Sequence, residues 1–371
     1  MTVASRARTA IRQIEVGAYT VPTDEPESDG TLEWDSTTIV VVQCRAGDEV
    51  GLGYTYGDVS TARLVDSVLA DVALDRDALA VTAAWDAMTV RLRNAGRPGI
   101  GSMALAAVDI ALWDLKARLL ELPLAALLDA RHAAVPVYGS GGFTSYTNER
   151  LAEQLAGWVA EGIPRVKMKL GRRPEDDPAR LDAAREAIGP ETELFVDANG
   201  AYGRKQALAW AERLRAEWDV TWLEEPVSSN DLEGLRLVRD RAPAGLEVAA
   251  GEYGYRLADF RGLLAAEAVD CLQADVTRCG GITGLLAVGA LADAHELDVS
   301  GHTAPAVSAH AFAALRRTRH LEYFHDHVRI ESLLFDGTLV PEDGALRPDP
   351  SRPGLGIELK QADAEPFRTY G

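Results

Sequence analysis

The chain has 371 residues, 47% hydrophobic and 26% charged, the balance of an ordinary globular protein with ample material for a core and length for two or three domains. Its net charge of −19 argues against nucleic acid and anionic membranes as partners, because both are bound through basic surfaces. Cys44, Cys271 and Cys279 show no framework spacing, no apolar stretch approaches the roughly 18 to 20 residues of a membrane span, and no basic and apolar leader opens the chain. A soluble, unprocessed protein of the reducing cytoplasm is therefore expected.

From Ile11 to Val21 and from Thr37 to Cys44 the pattern is strand-like, with Ala46 to Glu49 as the turn of a hairpin. Helical patterns follow over Thr61 to Ala70, Leu79 to Arg93 and Ser102 to Leu119. Strands followed by a run of helices predict an α+β domain over residues 1–125. Two polar stretches, Val21 to Glu33 and Gly51 to Asp58, read either as solvated surface loops or as loops over a site. The second offers the hydroxyls of Tyr54 and Tyr56. With Tyr at position 56 it misses G-x-G-x-x-G, so no dinucleotide site is predicted.

After the Pro-containing stretch Leu122 to Pro136, strands and helices alternate to about Phe324. Val135 to Tyr138 is the first strand, followed by the flexible Gly139 to Gly142, and Leu321 to Tyr323 is the last. Helices are expected at Glu149 to Glu161, Pro178 to Ile188, Arg204 to Glu217, Leu232 to Arg239, Ala258 to Ala266 and Gly284 to His295. Eight strands result, which predicts a barrel over residues 126–330. The Gly-, Pro- and Asp-rich tail, 331–371, is expected to return to the first domain.

Seven polar residues recur in this part at the spacing of one strand plus one helix: Lys169, Asp197, Glu224, Glu252, Asp275, His302 and Glu322. Most end an apolar, β-branched run, so their side chains are expected to gather at the end of the barrel where such folds keep their active sites. Asp197, Glu224 and Glu252 fall on three consecutive strands, and strands about 4.8 Å apart let three carboxylates surround one cation. An all-oxygen set selects a hard ion, Mg²⁺ first. In Trp222-Leu223-Glu224-Glu225-Pro226 either acid could be the ligand, since only one can face the axis.

Lys167 and Lys169, two apart in a strand, point to one face, and two adjacent cations are expected to depress each other's pKa enough for one to act as a base. His302, one βα unit after Asp275, can be fixed in one tautomer by that carboxylate and serve as a second base. Glu322, with its pKa raised by burial, could hold a proton and donate it in a hydrogen bond to a developing oxyanion. His320, His325 and His327 lack the acid or Cys spacing of a zinc site and read as loop histidines.

Taken together, Lys167-Met168-Lys169, the Asp197, Glu224 and Glu252 triplet, the Asp275 and His302 pair and Glu322 resemble the enolase superfamily, mandelate racemase subgroup, over nearly the whole chain. The resemblance implies a modified (β/α)7β TIM barrel under an N-terminal α+β capping domain that the tail completes. It implies Mg²⁺ on the triplet, Lys169 and His302 as bases on opposite faces of a small carboxylate substrate, Lys167 on the substrate carboxylate and Glu322 at the enediolate. It also makes a homo-oligomer the expectation. A strand-seven His paired with Asp275 separates the chain from the muconate lactonizing subgroup, which carries a lysine on strand six.

The step that the resemblance implies is abstraction of a proton α to a carboxylate through a metal-stabilised enediolate, since enolase-superfamily sites pair a Lys or His base with Mg²⁺. Loss of a β-hydroxyl would make a sugar-acid dehydratase yielding a 2-keto-3-deoxy acid, which the polar loops favour, with Asn199, Tyr54 and Tyr56 as candidate substrate contacts. Return of a proton from the other face would make a racemase or epimerase, and ring opening a cycloisomerase. A non-catalytic metal-binding scaffold is the alternative of another class.

Overall fold

The computed structural model describes residues 9–371. Residues 1–8, the start of the predicted first domain and part of the stretch read for a leader, lie outside the described residues. Strands β1 (Gln13–Ser28), β2 (Glu33–Ala46) and β3 (Glu49–Tyr56) form an antiparallel sheet. The hairpin turn falls where expected, with Ala46 opposite Glu49. The polar stretch after Val21, expected as a loop, instead continues β1: pairing breaks in a bulge after Pro22 and resumes with Glu27 opposite Trp34.

Gly51 to Tyr56 is likewise strand, not loop. A Cβ on Gly51 would stand 2.2 Å from the Ala111 carbonyl oxygen, and one on Gly53 would stand 2.3 Å from that of Ala107. The glycines that look like turn residues in sequence let β3 lie directly on the helix Ile100–Leu119, most of which is buried.

Strands β4 (Val135–Gly141), β5 (Arg165–Lys169), β6 (Glu193–Asp197), β7 (Val220–Glu224), β8 (Glu247–Ala250), β9 (Cys271–Ala274), β10 (Val299–Gly301) and β11 (Thr318–Phe324) are parallel and neighbours in chain order. The sheet closes where Leu321 pairs with Val137 and Phe324 with Ser140. This is an eight-stranded parallel barrel wrapped by helices, beside an N-terminal α+β domain. Alternation along β5 sends Val166 and Met168 into the hydrophobic layer under the helices, which leaves Lys167 and Lys169 on the inner face. Tyr138, Phe195, Trp222, Ala249 and Cys271 form a separate buried cluster inside the barrel.

Among the helices that escape the sequence pattern, two are long. Pro305–Ala313 is buried on every side, so no polar stripe marks it, and His325–Leu334 follows the last barrel strand. Beyond it, β12 (Phe335–Asp336) pairs with β14 (Glu358–Leu359), and β13 (Ala345–Leu346) adds antiparallel to β4. Strand β15 (Arg368–Tyr370) then joins the N-terminal sheet, with Tyr370 opposite Ala18. No helix among the described residues is long and apolar enough to cross a membrane.

Candidate active site

Lys169 stands in register with Asp197, and Asp197 with Glu224, so the ends of β5, β6 and β7 deliver their side chains at one height. Glu252 lies two residues past β8, beyond Gly251, whose φ of 138° and close approach to the Gln273 carbonyl, 2.1 Å from an added Cβ, demand glycine. One carboxylate oxygen each from Asp197, Glu224 and Glu252 lies within 4.8 Å of the others, and all three residues are buried. Of the two acids left open at 224 and 225, Glu224 joins this group. Glu225 is buried next to it, its pKa pushed well up by burial and then by Glu252. Its Oε1 and the Oδ1 of Asn199 have no protein partner. Three buried oxygen donors with spare acceptors beside them fit a hard divalent cation.

The cations of the site stand against these acids. Lys167 Nζ donates to both Glu224 oxygens, at 2.9 and 2.8 Å, and lies 2.8 Å from Glu322; Lys169 Nζ donates to Asp197 at 2.5 Å. The lowered lysine pKa expected from their pairing is reversed. Burial works in that direction, but Glu224 and Glu322 around Lys167, and Asp197 beside Lys169, prevail and hold both above the ordinary value.

His302 Nδ1 donates to Asp275 at 2.8 Å while Nε2 lies 2.9 Å from Glu252. Burial disfavours the imidazolium, yet Glu252, Glu322 and the Asp275 hydrogen bond push its pKa up to about 10. Asp275 is itself fixed by the backbone N–H and the hydroxyl of Thr277, both at 2.7 Å.

Glu322 accepts from Ser140 Oγ at 2.6 Å and from the Thr303 amide at 3.2 Å. The raised pKa expected for it is also reversed: burial pushes it up, but Lys167, His302 and Lys169 overcome that and keep the carboxylate ionised.

A cavity of about 360 Å³ opens above this group, within the size range of small-molecule sites. Lys169, Asn199, Glu252 and His302 line it from the barrel, and Trp34, Thr38, Tyr56 and Asp58 from the N-terminal sheet and the turn after it. Lys167, Asp197, Glu224 and Glu322 are fully buried and do not line it. Asn199 sits in the left-handed region at φ 44°. Tyr56 stacks on His327 with ring centroids 3.4 Å apart. Tyr54 is not among the lining residues; its hydroxyl donates to the buried Glu331 at 2.5 Å. A larger depression, about 620 Å³, lies against β1 and the C-terminal residues and holds none of these groups.

The three histidines near the end of the barrel part company. His320 turns inward to Ser300, His327 stacks on Tyr56, and His325 meets Asp24 at 3.0 Å. Sequence reasoning missed Arg278, which bridges Glu252 at 3.3 Å and Asp275 at 3.4 Å, and Ser140 and Thr303, which hold Glu322. The only signal for Arg278 is its place three residues after Asp275.

Comparison with known proteins identifies the family of the chain. Residues 14–129 match the mandelate racemase / muconate lactonizing enzyme N-terminal domain, and residues 150–364 the enolase C-terminal domain-like family. The chain belongs to the mandelate racemase/muconate lactonizing enzyme family. Over 363 residues it is 32% identical to the 3,6-anhydro-alpha-L-galactonate cycloisomerase of Streptomyces coelicolor, covering 94% of this chain and 97% of that protein. A mandelate racemase/muconate lactonizing enzyme-like protein from Rubrobacter xylanophilus superposes with a TM-score of 0.96 at 62% identity, covering 97% of this chain and all of that one. A variant L-talarate/galactarate dehydratase of Salmonella typhimurium, liganded with Mg and L-glucarate, superposes at 0.91 with 27% identity, covering 100% of this chain and 94% of that one. This family member is thus an enolase-superfamily enzyme whose relatives include sugar-acid dehydratases and cycloisomerases.

Proposed function

We propose that the enzyme removes the proton α to the carboxylate of a sugar acid and expels the β-hydroxyl as water, giving a 2-keto-3-deoxy acid. The observation that carries this reading is two proton-transfer groups, Lys169 from β5 and His302 after β10, lining one cavity above a buried acidic triplet. A carbon acid of this kind is very weak, so the site must favour the enediolate over the substrate. Mg²⁺ on Asp197, Glu224 and Glu252 would supply positive charge to the substrate carboxylate and take over oxygens that now pair with the lysines.

Asp197, a member of the triplet, holds Lys169 protonated; with that carboxylate taken by a cation the ammonium would give up its proton, and Lys169 is assigned as the base. His302 keeps Asp275, which lies outside the triplet; that bond fixes Nδ1 as the N–H and leaves Nε2 to protonate the departing hydroxyl. Lys167 adds positive charge beneath the substrate carboxylate. Glu322, ionised and gripped by Ser140 and Thr303, is assigned to hold Lys167 in place rather than to carry a proton. Asn199 and Tyr56 are assigned to the substrate, and Tyr54 to bracing Glu331. Residues 126–330 then carry the chemistry, and 1–125 with 331–371 set specificity.

The likeness to a cycloisomerase over 94% of the chain supports a second reading, in which the same abstraction expels a ring oxygen. Incubation of sugar acids with Mg²⁺ in D₂O, followed for 2-keto product and for exchange at the α carbon, tests both. Keto product is expected from a dehydratase. Exchange or ring opening without it selects the isomerase readings, and absence of exchange with every acid while Mg²⁺ still binds leaves a metal-binding scaffold.

A further inference from the structure

The two sides of the cavity differ in charge. Every basic side chain lining it comes from the barrel: Lys169, Arg278, His302 and His327. Three of these face acids of the site, and Arg278 in particular is held between Glu252 and Asp275. His327 is pushed down to about 3 by burial and by His302, and is neutral. Among the described residues, the N-terminal side brings no cation to the cavity. It brings two acids, Asp29 and Asp58, with aromatic and hydroxyl side chains between them.

Asp29 is the stronger of the two in effect, because it is only 8% exposed. The Thr31 and Leu32 amides donate to it at 2.6 and 2.7 Å, with the Thr31 hydroxyl at 3.2 Å, all on Oδ1, so Oδ2 keeps its acceptor capacity. A ligand whose carboxylate is held over the barrel end turns its other end toward this wall. Hydroxyls there can donate charge-assisted hydrogen bonds to carboxylates. A second carboxylate would lose water beside a buried like charge with no cation to receive it.

We propose that the substrate is a monoacid with an uncharged polyhydroxylated tail, an aldonate or its anhydro or lactone form, and that the N-terminal wall discriminates against the corresponding diacids. This rests on the α-proton abstraction proposed above. The test measures kcat/KM and α-exchange in D₂O, with Mg²⁺, across five- and six-carbon aldonates, their lactone and anhydro forms, and aldarates of matched configuration. The best monoacid is expected to exceed the best aldarate by on the order of 100-fold in kcat/KM. Asp29→Asn, which keeps an acceptor for both amides and removes the charge, is expected to narrow that ratio by about tenfold. An aldarate handled as well as the best monoacid, or a ratio unmoved in Asp29→Asn, overturns the proposal while leaving proton abstraction intact. Absence of exchange with every acid in either set overturns the underlying reading as well.

Discussion

The ammonium of Lys167 lies 2.8 Å from the Glu322 carboxylate, and both side chains are sealed from solvent. The pair joins the second strand of the barrel to the last, across the first. A charge held this way stays useful only while its counter-charge stays, which gives Glu322 a role that a neutral side chain of the same shape fills poorly. Glu322→Gln is expected to remain folded and to lose about 100-fold in kcat. Full activity in the variant would show instead that a hydrogen-bonding side chain suffices there.

Asp197→Asn removes one oxygen charge from the triplet and the partner of Lys169. Calorimetric titration with Mg²⁺ is expected to show affinity lowered at least about tenfold, with the circular dichroism of a folded barrel retained. Unchanged affinity would remove Asp197 from the ligand set.

His302→Asn deletes the assigned acid but spares Lys169. Exchange at the α carbon should therefore persist while 2-keto product formation falls by about 10²- to 10⁴-fold. Loss of both together would mean that His302 takes the first proton.

Stability should carry the imprint of Glu331, whose pKa burial pushes up to about 8. A carboxyl with a folded pKa above its unfolded one binds more protons when folded. Its contribution is full at low pH, declines from about 4.5, the ordinary value, to about 8, and is level beyond. In Glu331→Gln, which still accepts from Tyr54, urea titrations between pH 5 and 8 should show a flatter loss of stability with pH. An unchanged slope would place the proton elsewhere.

Gly53→Ala sets a methyl group against the backbone of Ala107 and Ala111, each 2.3 Å away. A stability loss of about 1–3 kcal/mol is expected, read as a fall in urea midpoint. No fall would mean that β3 and the helix Ile100–Leu119 separate easily.

The barrel was legible because buried parallel strands read as apolar runs, and a charge ending such a run stands out, as Asp197 does after Leu194-Phe195-Val196. Lys167 and Lys169 could be placed on one face from their spacing alone. Ionisation states could not. The proton on Lys169 and its absence from Glu322 depend on neighbours from other strands, and no local pattern encodes those distances. Gly51 and Gly53 mislead because loops and close contacts both favour glycine, and only the helix opposite tells them apart. Arg278 hides because a surface arginine and one locked between two acids are the same letter.

The hydrogen bond from Ser140 to Glu322 crosses the seam at which β4 meets β11. During synthesis the ribosome delivers β4 through β8 and the turn that carries Glu252 long before the strand that closes the ring. A nascent chain can thus own all three acids of the triplet while Lys167 still lacks one of its counter-charges. Contacts so distant in sequence form late and slowly. Activity would then report ring closure itself, and a refolding assay read by turnover should lag one read by helix content.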